Sequence, residues 1–415
     1  MIMRFLYKIG INIYFFLVLI TAPFHIKARR WIKGRTGIWR KIRESINSAD
    51  KVIWIHCASL GEFEQGRTLI EELRQRLPDR KLLLTFFSPS GYELRKNYEG
   101  VDCVVYMPLD TRFNAWRFIN LVKPEMVFFI KYEYWYYFLR SLRKKRIPVY
   151  LVSAKFRRDQ VFFKWYGKWY RNVLKFFEVL FVQNEESRRI LNVIGIKNVI
   201  VAGDTRFDRV FNISKNFVEY PGIDLFSKDK KVIIAGSTWE KDEQILIQYI
   251  NQSGQETRFI LVPHEINEKK LVRLIELIKF RTVRFTDNDK SSYRNAKVLI
   301  VDTIGHLSSL YNYGNIAYIG GGFGRGIHNI LEAATYGLPV IFGPNYRKFL
   351  EAVEMVELKA AFSIANFKDL KKVIDLLIID EKMLISCSQT AMNYVKSRLG
   401  ATNLIVDHAL KNINS

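Results

Sequence analysis

NIAYIGGGFGRGIHNILEAATYGLPVIFGP, residues 315–344, is the most informative segment of this chain. A short apolar run predicts a strand, the glycine-rich run after it predicts a turn, and a helix and a second strand follow. Glycines let the backbone approach a ligand, and free N–H groups at the start of the next helix favour an anion. His328, Asn329 and Glu332 have the spacing of one helix face, where a carboxylate can accept hydrogen bonds from ribose hydroxyls. The segment therefore predicts a nucleotide site, and the alternative is a tight strand-to-helix turn with a solvated Glu332.

Composition indicates two domains and an anionic partner. With 415 residues, 49% of them hydrophobic, the chain is long enough to build two ordinary cores. Its net charge of +24 and pI near 9.8 favour nucleic acid, an acidic membrane surface or a phosphorylated substrate. Cys57, Cys103 and Cys387 have neither disulfide nor zinc spacing, so they predict buried thiols in a reducing compartment.

The N-terminal segment has the pattern of an uncleaved membrane anchor. Residues 9–26, IGINIYFFLVLITAPFHI, form an apolar run that is marginal for spanning a bilayer, which takes about 20 residues. Eight Lys and Arg residues follow between positions 27 and 43, whereas a secretory signal carries its charge before the apolar run. The positive-inside rule then keeps the rest of the chain in the cytoplasm. The alternative is a buried first helix of the globular domain.

From residue 51 onward, apolar strands alternate with helices, which predicts an α/β fold with parallel, doubly wound sheets. We expect an anchor and basic segment at 1–48, a Rossmann-like domain at 49–212, a linker at 213–230 and a second Rossmann-like domain with terminal helices at 231–415. Two such halves should leave a cleft at the carboxyl ends of their strands, where open α/β sheets bind ligands.

Charged residues follow several strands of the first half. Glu62, in the segment S-L-G-E, is expected at a helix start, where the helix dipole keeps a carboxylate ionised as a general base requires, although capping is a common alternative. Lys131 and Glu133 follow the strand EMVFFI, and Arg206 in G-D-T-R-F-D has the chemistry to reach a phosphate. Each of these segments alone is equally compatible with an ordinary strand end.

Turns of the second half should form one pocket rim with the glycine-rich loop. They are the segments G-S-T-W at 236–239, V-P-H-E at 262–265 and D-T-I-G-H at 302–306. The interleaved basic and aromatic residues of 155–177 suit an anionic bilayer or a nucleic-acid groove, but no nucleic-acid motif accompanies them. The triplet Asp287-Asn288-Asp289 is interpreted as a solvated loop.

Taken in order, these motifs resemble those of the 3-deoxy-D-manno-octulosonic acid (Kdo) transferases, which build the inner core of lipopolysaccharide. The matching segments are S-L-G-E-F-E, YMPLD, Y-E-Y-W, G-D-T-R-F-D, AGST, LVP, D-T-I-G and the long G-G…H-N-x-L-E…G-L-P-V…G-P pattern. They extend over nearly the whole chain, and their order is far more specific than any single segment.

The resemblance implies a two-domain GT-B glycosyltransferase at the cytoplasmic face of the bacterial inner membrane. Its donor would be CMP-Kdo and its acceptor the 6′-hydroxyl of a lipid A precursor (lipid IVA), with Glu62 as general base. Arg206 stands where the family usually has a lysine that stabilises the leaving phosphate. Lys131 replaces the first carboxylate of the family's E-T-E-L-W segment, so either Glu133 has its role or that assignment does not transfer.

The expected CMP-contacting residues come from the loops of the second half. They are Ser237, Thr238, Pro263, His264, Ile304, Gly305, His306, Gly324, Asn329, Ile330, Leu331 and Glu332. No metal, cofactor or nucleic-acid partner is expected, whereas an anionic membrane surface is. The alternatives are a GT-B enzyme that uses a UDP-sugar on another lipid and a non-catalytic basic protein that binds RNA or membrane.

Overall fold

The computed structural model describes residues 2–411, which divide into two compact units. The first contains residues up to Arg209 together with those from Leu399 onward, and the second is Val210–Arg398. The strands are β1 Val52–Cys57, β2 Lys81–Phe86, β3 Cys103–Tyr106, β4 Pro124–Ile130, β5 Val149–Ala154, β6 Val179–Val182, β7 Val199–Val201, β8 Lys231–Thr238, β9 Thr257–Pro263, β10 Thr282–Arg284, β11 Val298–Ile300, β12 Ile316–Ile319, β13 Val340–Phe342 and β14 Ala361–Ser363.

The helices lie between these strands and at both ends of the chain. They are α1 Ile2–Thr21, α2 Ile26–Lys33, α3 Ile38–Ser45, α4 Leu60–Arg76, α5 Pro89–Arg95, α6 Arg112–Val122, α7 Tyr136–Lys144, α8 Lys168–Leu174, α9 Glu185–Val193, α10 Thr205–Lys215, α11 Ile223–Ser227, α12 Glu240–Ile250, α13 Glu268–Leu277, α14 Leu307–Leu310, α15 Leu331–Ala334, α16 Leu350–Glu357, α17 Phe367–Ile379, α18 Glu381–Lys396 and α19 Ala401–Lys411.

Each unit is built on one seven-stranded parallel sheet, so the predicted α/β class is confirmed. The strand order is β3-β2-β1-β4-β5-β6-β7 in the first unit and β10-β11-β9-β8-β12-β13-β14 in the second. Helices cover both faces of the first sheet, which is why β1 is buried at every position and is apolar except at His56. The strand order reverses between β1 and β4 and between β8 and β12, and ligands bind at such switch points in open α/β sheets.

The N-terminal helix α1 is long and apolar enough to cross a membrane by length and composition. One side of it nevertheless contacts the first unit. Met3, Tyr7, Ile11, Phe15 and Val18 are half-buried at intervals of three or four residues, whereas the opposite face of the helix is exposed. Helix α1 therefore lies along this unit with an apolar face uncovered.

The boundary predicted at residue 48 is not a structural one. Ile38 and Ile42 of α3 lie in the same core as Trp54 of β1, so the basic segment is part of the first unit. The apolar face of α3, hidden in the sequence by its many cations, explains this difference.

The predicted linker and C-terminal assignment also differ from the structure. The division between units falls inside α10, and residues 213–230 contribute buried Ile223 and Phe226 to the second unit. Helix α19, expected in the second domain, packs on the first because Ile405 and Val406 enter its core. Asp208 fixes the start of α19 by accepting hydrogen bonds from the N–H groups of Gly400 and Thr402, both at 2.7 Å.

Candidate active site

The first group of candidate residues lies at the switch point of the first sheet. Strands β1 and β4 are parallel neighbours, with His56 paired to Phe129 near their carboxyl ends. Glu62 follows β1 and Glu133 follows β4. Cys57, fully buried at the end of β1, has a pKa raised well above its ordinary value by burial and then by the charges of Glu62 and Glu133. The carboxylates of Glu62 and Glu133 therefore both lie close to the carboxyl end of β1. The prediction that Cys57 is a buried thiol is confirmed.

Glu62 occupies the first turn of α4, as the sequence predicts, but it does not cap the helix. The side chain of Ser59, the N-cap residue, makes no capping hydrogen bond and instead donates its hydroxyl to Glu62 Oε2 at 2.5 Å. The side chain of Glu62 is half-buried rather than enclosed. Since capping does not occupy this carboxylate, it retains acceptor capacity for a substrate hydroxyl.

Glu133 is buried, at 8% exposure, and its carboxylate is held by two ring N–H groups. Its Oε2 atom lies 2.5 Å from Nε1 of Trp135 and 3.2 Å from Nε2 of His56. Nδ1 of His56 lies 2.8 Å from the hydroxyl of Thr85, which already accepts a hydrogen bond from Nε1 of Trp54. Because a carboxylate only accepts, the Nε2–H group of His56 donates to Glu133, and in the neutral ring Nδ1 then accepts from the Thr85 hydroxyl.

The backbone is strained at the same edge of the sheet. Lys131, directly after β4, has φ +66°, and Ser153 in β5 has φ +54°. Non-glycine residues rarely adopt this conformation, which costs of order 1–3 kcal/mol and is concentrated at functional sites. Ser153 is fully buried, with its Oγ atom 3.1 Å from that of Thr205 at the start of α10. The strain thus positions Lys131 and the loop that contains Glu133.

Arg206 lies in the first turn of α10 and pairs with Asp204. Its Nε and Nη2 atoms lie 2.9 and 2.8 Å from Oδ2 of Asp204. Burial raises the pKa of Tyr132, whereas Arg157 and, more weakly, Arg206 lower it, so Tyr132 lies close to these cations. Because Arg206 still exposes about a third of its side chain (31%), its guanidinium group is accessible to an anionic oxygen of a ligand.

In the second unit, a buried carboxylate organises the glycine-rich loop between β12 and β13. Asp242 of α12 accepts hydrogen bonds from the hydroxyl of Tyr318 at 2.7 Å, the N–H of Gly321 at 2.9 Å and the N–H of Trp239 at 2.9 Å. A Cβ atom at Gly320 would lie 2.2 Å from the carbonyl oxygen of Ser237. This glycine is therefore required by close packing inside the protein, not only by access for a ligand.

The predicted helix after Gly326 is shorter than expected. Gly326 has φ +140°, the chain stays irregular through Ile330, and α15 begins only at Leu331. Asn329 explains this start: its Oδ1 accepts the N–H of Leu331 at 3.2 Å, and its Nδ2 donates to Glu332 Oε1 at 3.0 Å. Asn329 and Glu332 do meet, but a four-residue helix offers no dipole of the predicted strength, so that part of the prediction was wrong.

His328 does not lie on a helix face beside Glu332 but in a stack of three rings. His264 lies between Trp239 and His328, at 4.4 Å from each ring centroid and 27° from each plane. Nε1 of Trp239 donates to Nε2 of His328 at 3.0 Å. Burial, and then the proximity of His264, lower the pKa of His328. A flat aromatic surface therefore stands beside the glycine-rich loop.

The remaining predicted residues lie at the carboxyl ends of strands of the second sheet or in the loops that follow them. Ser237 has φ +53°, and Thr238 is buried with its hydroxyl 3.0 Å from Glu243 Oε1. Pro263 ends β9. Ile304 and Gly305 form an open turn in which Ile304 is 85% exposed. His306 and Gly324 are also in loops: Nδ1 of His306 lies 3.1 Å from the hydroxyl of Tyr220, and Gly324 is exposed.

Sequence reasoning assigned no role to His56 or Asp242, and it placed Trp239 only at the rim of the pocket. A lone polar residue in an apolar strand resembles a satisfied core residue, and only the three-dimensional partners show otherwise. Within residues 2–411 the structure has no cluster of three or more His, Cys, Asp or Glu side chains that would hold a metal ion. Asp287 and Asp289 instead accept hydrogen bonds from the backbone N–H groups of Arg284 and Ser291.

Two parallel doubly wound units, each with polar groups at its switch point, define a fold of the GT-B type. Solved structures support the fold. A UDP-GlcNAc 2-epimerase from Neisseria meningitidis has a TM-score of 0.60 at 17% identity, covering 87% of this chain and 100% of that one. A putative UDP-N-acetylglucosamine 2-epimerase from Listeria monocytogenes has a TM-score of 0.60 at 13% identity, covering 88% and 97%.

Sequence comparison shows similarity to one family of enzymes. The family model for 3-deoxy-D-manno-octulosonic-acid transferase matches residues 30–209. The chain is 28% identical over 352 residues to a 3-deoxy-D-manno-octulosonic acid transferase of Aquifex aeolicus, covering 83% of this chain and 91% of the relative. It is 26% identical over 344 residues to the enzyme of the same description from Rickettsia felis, covering 81% and 73%. Most of the chain is thus similar to enzymes described as Kdo transferases, and the protein is a glycosyltransferase.

Proposed function

We propose that this protein transfers Kdo from CMP-Kdo to the 6′-hydroxyl of a lipid A precursor, lipid IVA. The observation that supports this most directly is the state of Glu62, a half-buried carboxylate at the switch point whose one short contact is the hydroxyl of Ser59. A general base needs an ionised carboxylate with a lone pair directed at the substrate, and the N-terminal turn of α4 favours the ionised form.

In this proposal Glu62 takes the proton from the acceptor hydroxyl. The hydroxyl oxygen then forms a bond to the anomeric carbon of Kdo, while the bond from that carbon to the phosphate oxygen of CMP breaks and the phosphate keeps the electron pair. Arg206 is the candidate for stabilising the negative charge that develops on the phosphate. Glu133, held by two N–H donors, is the candidate for stabilising positive charge on the sugar, and Lys131 beside it is proposed to contact an anionic group of a substrate.

For the donor we propose that the loops of the second unit bind CMP. The ring stack of Trp239, His264 and His328 offers a flat surface suited to a nucleobase. Glu332 is proposed to accept hydrogen bonds from the ribose, with its orientation set by Asn329. The other loop residues predicted from the sequence complete this proposed site.

We further propose that the protein works on the cytoplasmic face of the inner membrane, with α1 lying along the bilayer surface. One face of α1 packs on the first unit while the opposite face exposes large apolar side chains such as Phe5, Phe16 and Leu17. A helix of this kind buries its apolar face at the headgroup boundary. Trp165, 90% exposed among the basic residues of 155–177, suits the same boundary.

The proposal is tested with the variant Glu62→Gln. A general base contributes about 10²- to 10⁴-fold to the rate, so transfer from CMP-Kdo to a tetraacylated lipid A precursor, followed by mass spectrometry, should fall by that factor. Thermal stabilisation by CMP should be unchanged, because Glu62 is not among the nucleotide-contacting residues. Full activity of the variant would exclude Glu62 as the base, and stabilisation by UDP but not by CMP would refute the proposed donor.

A further inference from the structure

The first unit has a surface groove in two parts that contains none of the residues assigned to the transfer reaction. One part, of about 500 Å³, lies between α1 and the loop before α6, and a second part, of about 470 Å³, lies between α6 and α7. Arg112 and Tyr137 line both parts, so the two parts adjoin at these residues. We call this feature the α1–α6–α7 groove. Its size is in the range of small-molecule sites.

The groove is lined by cations that have no acidic partner. Within the described residues, none of its Lys and Arg side chains forms an ion pair; they are Arg4, Lys8, Arg112, Arg140, Lys144 and Lys145. Elsewhere in the same unit arginines do pair, as Arg74 does with Asp102 and Arg67 with Glu71. A concave surface with one sign of charge concentrates the field and attracts an anion.

The one carboxylate in the groove is already satisfied. Asp110 accepts hydrogen bonds from the hydroxyl of Tyr7 at 2.5 Å and from the N–H groups of Tyr137 and Phe138 at 3.1 and 3.0 Å. It is fully buried beneath the groove wall. Asp110 therefore holds α1 and the start of α7 together and is not free to pair with the groove cations.

Two of these cations stand where helix dipoles disfavour positive charge. Arg112 is the first residue of α6, and Arg4 lies in the first turn of α1. Negative groups are stabilised at helix N-termini and positive ones destabilised, by about 0.3–1 kcal/mol each. An anion bound between these two helix starts would remove that cost and meet the side-chain charges at the same point.

The rim of the groove is aromatic and exposed, which selects the kind of anion. Phe113 and Trp116 on α6 are 61% and 58% exposed and lie 6.1 Å apart between ring centroids. Phe5 of α1, 62% exposed, lines the other part. Aromatic rings next to Lys and Arg are typical of the headgroup level of a bilayer, whereas binding of a free anion does not require exposed aromatic rings.

We propose that the α1–α6–α7 groove binds the phosphodiester headgroup of an anionic bilayer phospholipid, distinct from the acceptor lipid. The cations would bind the phosphate, and the acyl chains would continue over Phe5 and the rim rings. This inference rests on the membrane contact proposed above. It does not require the proposed transfer chemistry, because the binding titration below contains neither donor nor acceptor.

The test is calorimetric titration of the full chain in neutral detergent with dihexanoyl-phosphatidylglycerol. Saturable binding of one lipid per protein is expected, weakened about 100-fold in the triple variant Arg112→Gln/Arg140→Gln/Lys144→Gln, since each basic residue near an anionic headgroup contributes about fivefold. The matched control removes the same charge outside the groove, at exposed residues without ion pairs: Lys51→Gln/Arg189→Gln/Lys197→Gln. It should bind within threefold of the unaltered protein.

Four outcomes would overturn the proposal. Equal binding of dihexanoyl-phosphatidylcholine would indicate only an apolar surface, and equal competition by inorganic phosphate would indicate a free-anion site. An equal loss in the control variant would indicate net charge alone. Transfer activity on acceptor in neutral detergent should be the same in the groove variant and the unaltered protein. A raised KM for the acceptor would instead assign the groove to the substrate, and circular dichroism of both variants checks that they fold.

Discussion

The buried contact between His56 and Glu133 permits a quantitative test of how the site is positioned. We consider His56→Leu, which has a similar volume but no hydrogen-bonding group. It removes one of the two N–H donors that reach Oε2 of Glu133, and leaves the Trp135 donor in place. The hydroxyl of Thr85 loses its acceptor but keeps the hydrogen bond from Trp54.

A hydrogen bond to a charged group contributes about 1.5–3 kcal/mol. Because the contact from His56 Nε2 is long, at 3.2 Å, the lower part of this range applies, about 1.5–2 kcal/mol. If Glu133 acts only in its present orientation, this loss corresponds to about 10- to 30-fold in kcat. The KM for CMP-Kdo should change little, because the proposed donor contacts lie in the other unit.

The assay is steady-state release of CMP with lipid IVA as acceptor, together with the thermal unfolding midpoint of each variant. His56→Gln serves as the control, since its amide N–H can replace Nε2–H of His56 and should recover most of the rate. A His56→Leu protein that keeps its unfolding midpoint and a kcat within twofold of normal would refute the positioning role. Equal losses in the Leu and Gln variants would assign His56 to packing alone.

Two further predictions concern the rest of the chain. Asp208→Ala removes both hydrogen bonds to the N–H groups of Gly400 and Thr402, so the free energy of local opening of α19 should fall by about 3–5 kcal/mol. Hydrogen exchange at residues 401–411 should become faster, and unchanged exchange would contradict the prediction. His328 has a lowered pKa in the stack, so its contribution to stability is present above its ordinary pKa of 6.5 and is lost as pH falls below it. Protonation of His328 removes the acceptor of the hydrogen bond from Trp239. The fluorescence of Trp239, measured as the difference between the unaltered protein and Trp239→Phe, should therefore change as the pH falls below 6.5. A difference that does not vary with pH would refute the contact.

The sequence predicts the central strands well because they are continuous apolar runs buried on both faces. The strand sequences VIWIHC and IAYI coincide with β1 and β12. The edge strands β10 and β14 were not predicted, because three residues with intermediate burial give no period to detect. Strand β3 was also missed, since its four residues merge with the motif that follows them.

The candidate site was predicted as far as its local sequence pattern extends. The position of Glu62 follows from a glycine turn after a strand, and that is where the structure has it. The short α15 was not foreseen, because Asn329 competes with the helix by binding the backbone two residues ahead. His56 and Glu133 are in contact although they are 77 positions apart in sequence, and a local sequence pattern cannot predict such a contact.

The packing of α19 on the first unit has a consequence for how this protein is made. The chain leaves the first unit at Arg209 and returns only at Leu399, so a ribosome synthesises the whole second unit before Ile405 and Val406 can complete the first core. Until then the outer face of α4, including Thr68 that later bonds Thr402, has no cover. The nascent chain must therefore hold an unfinished domain in solution for the time needed to translate about 190 residues, about 10–40 seconds at bacterial rates. During this interval it should depend on chaperones that bind exposed apolar surface.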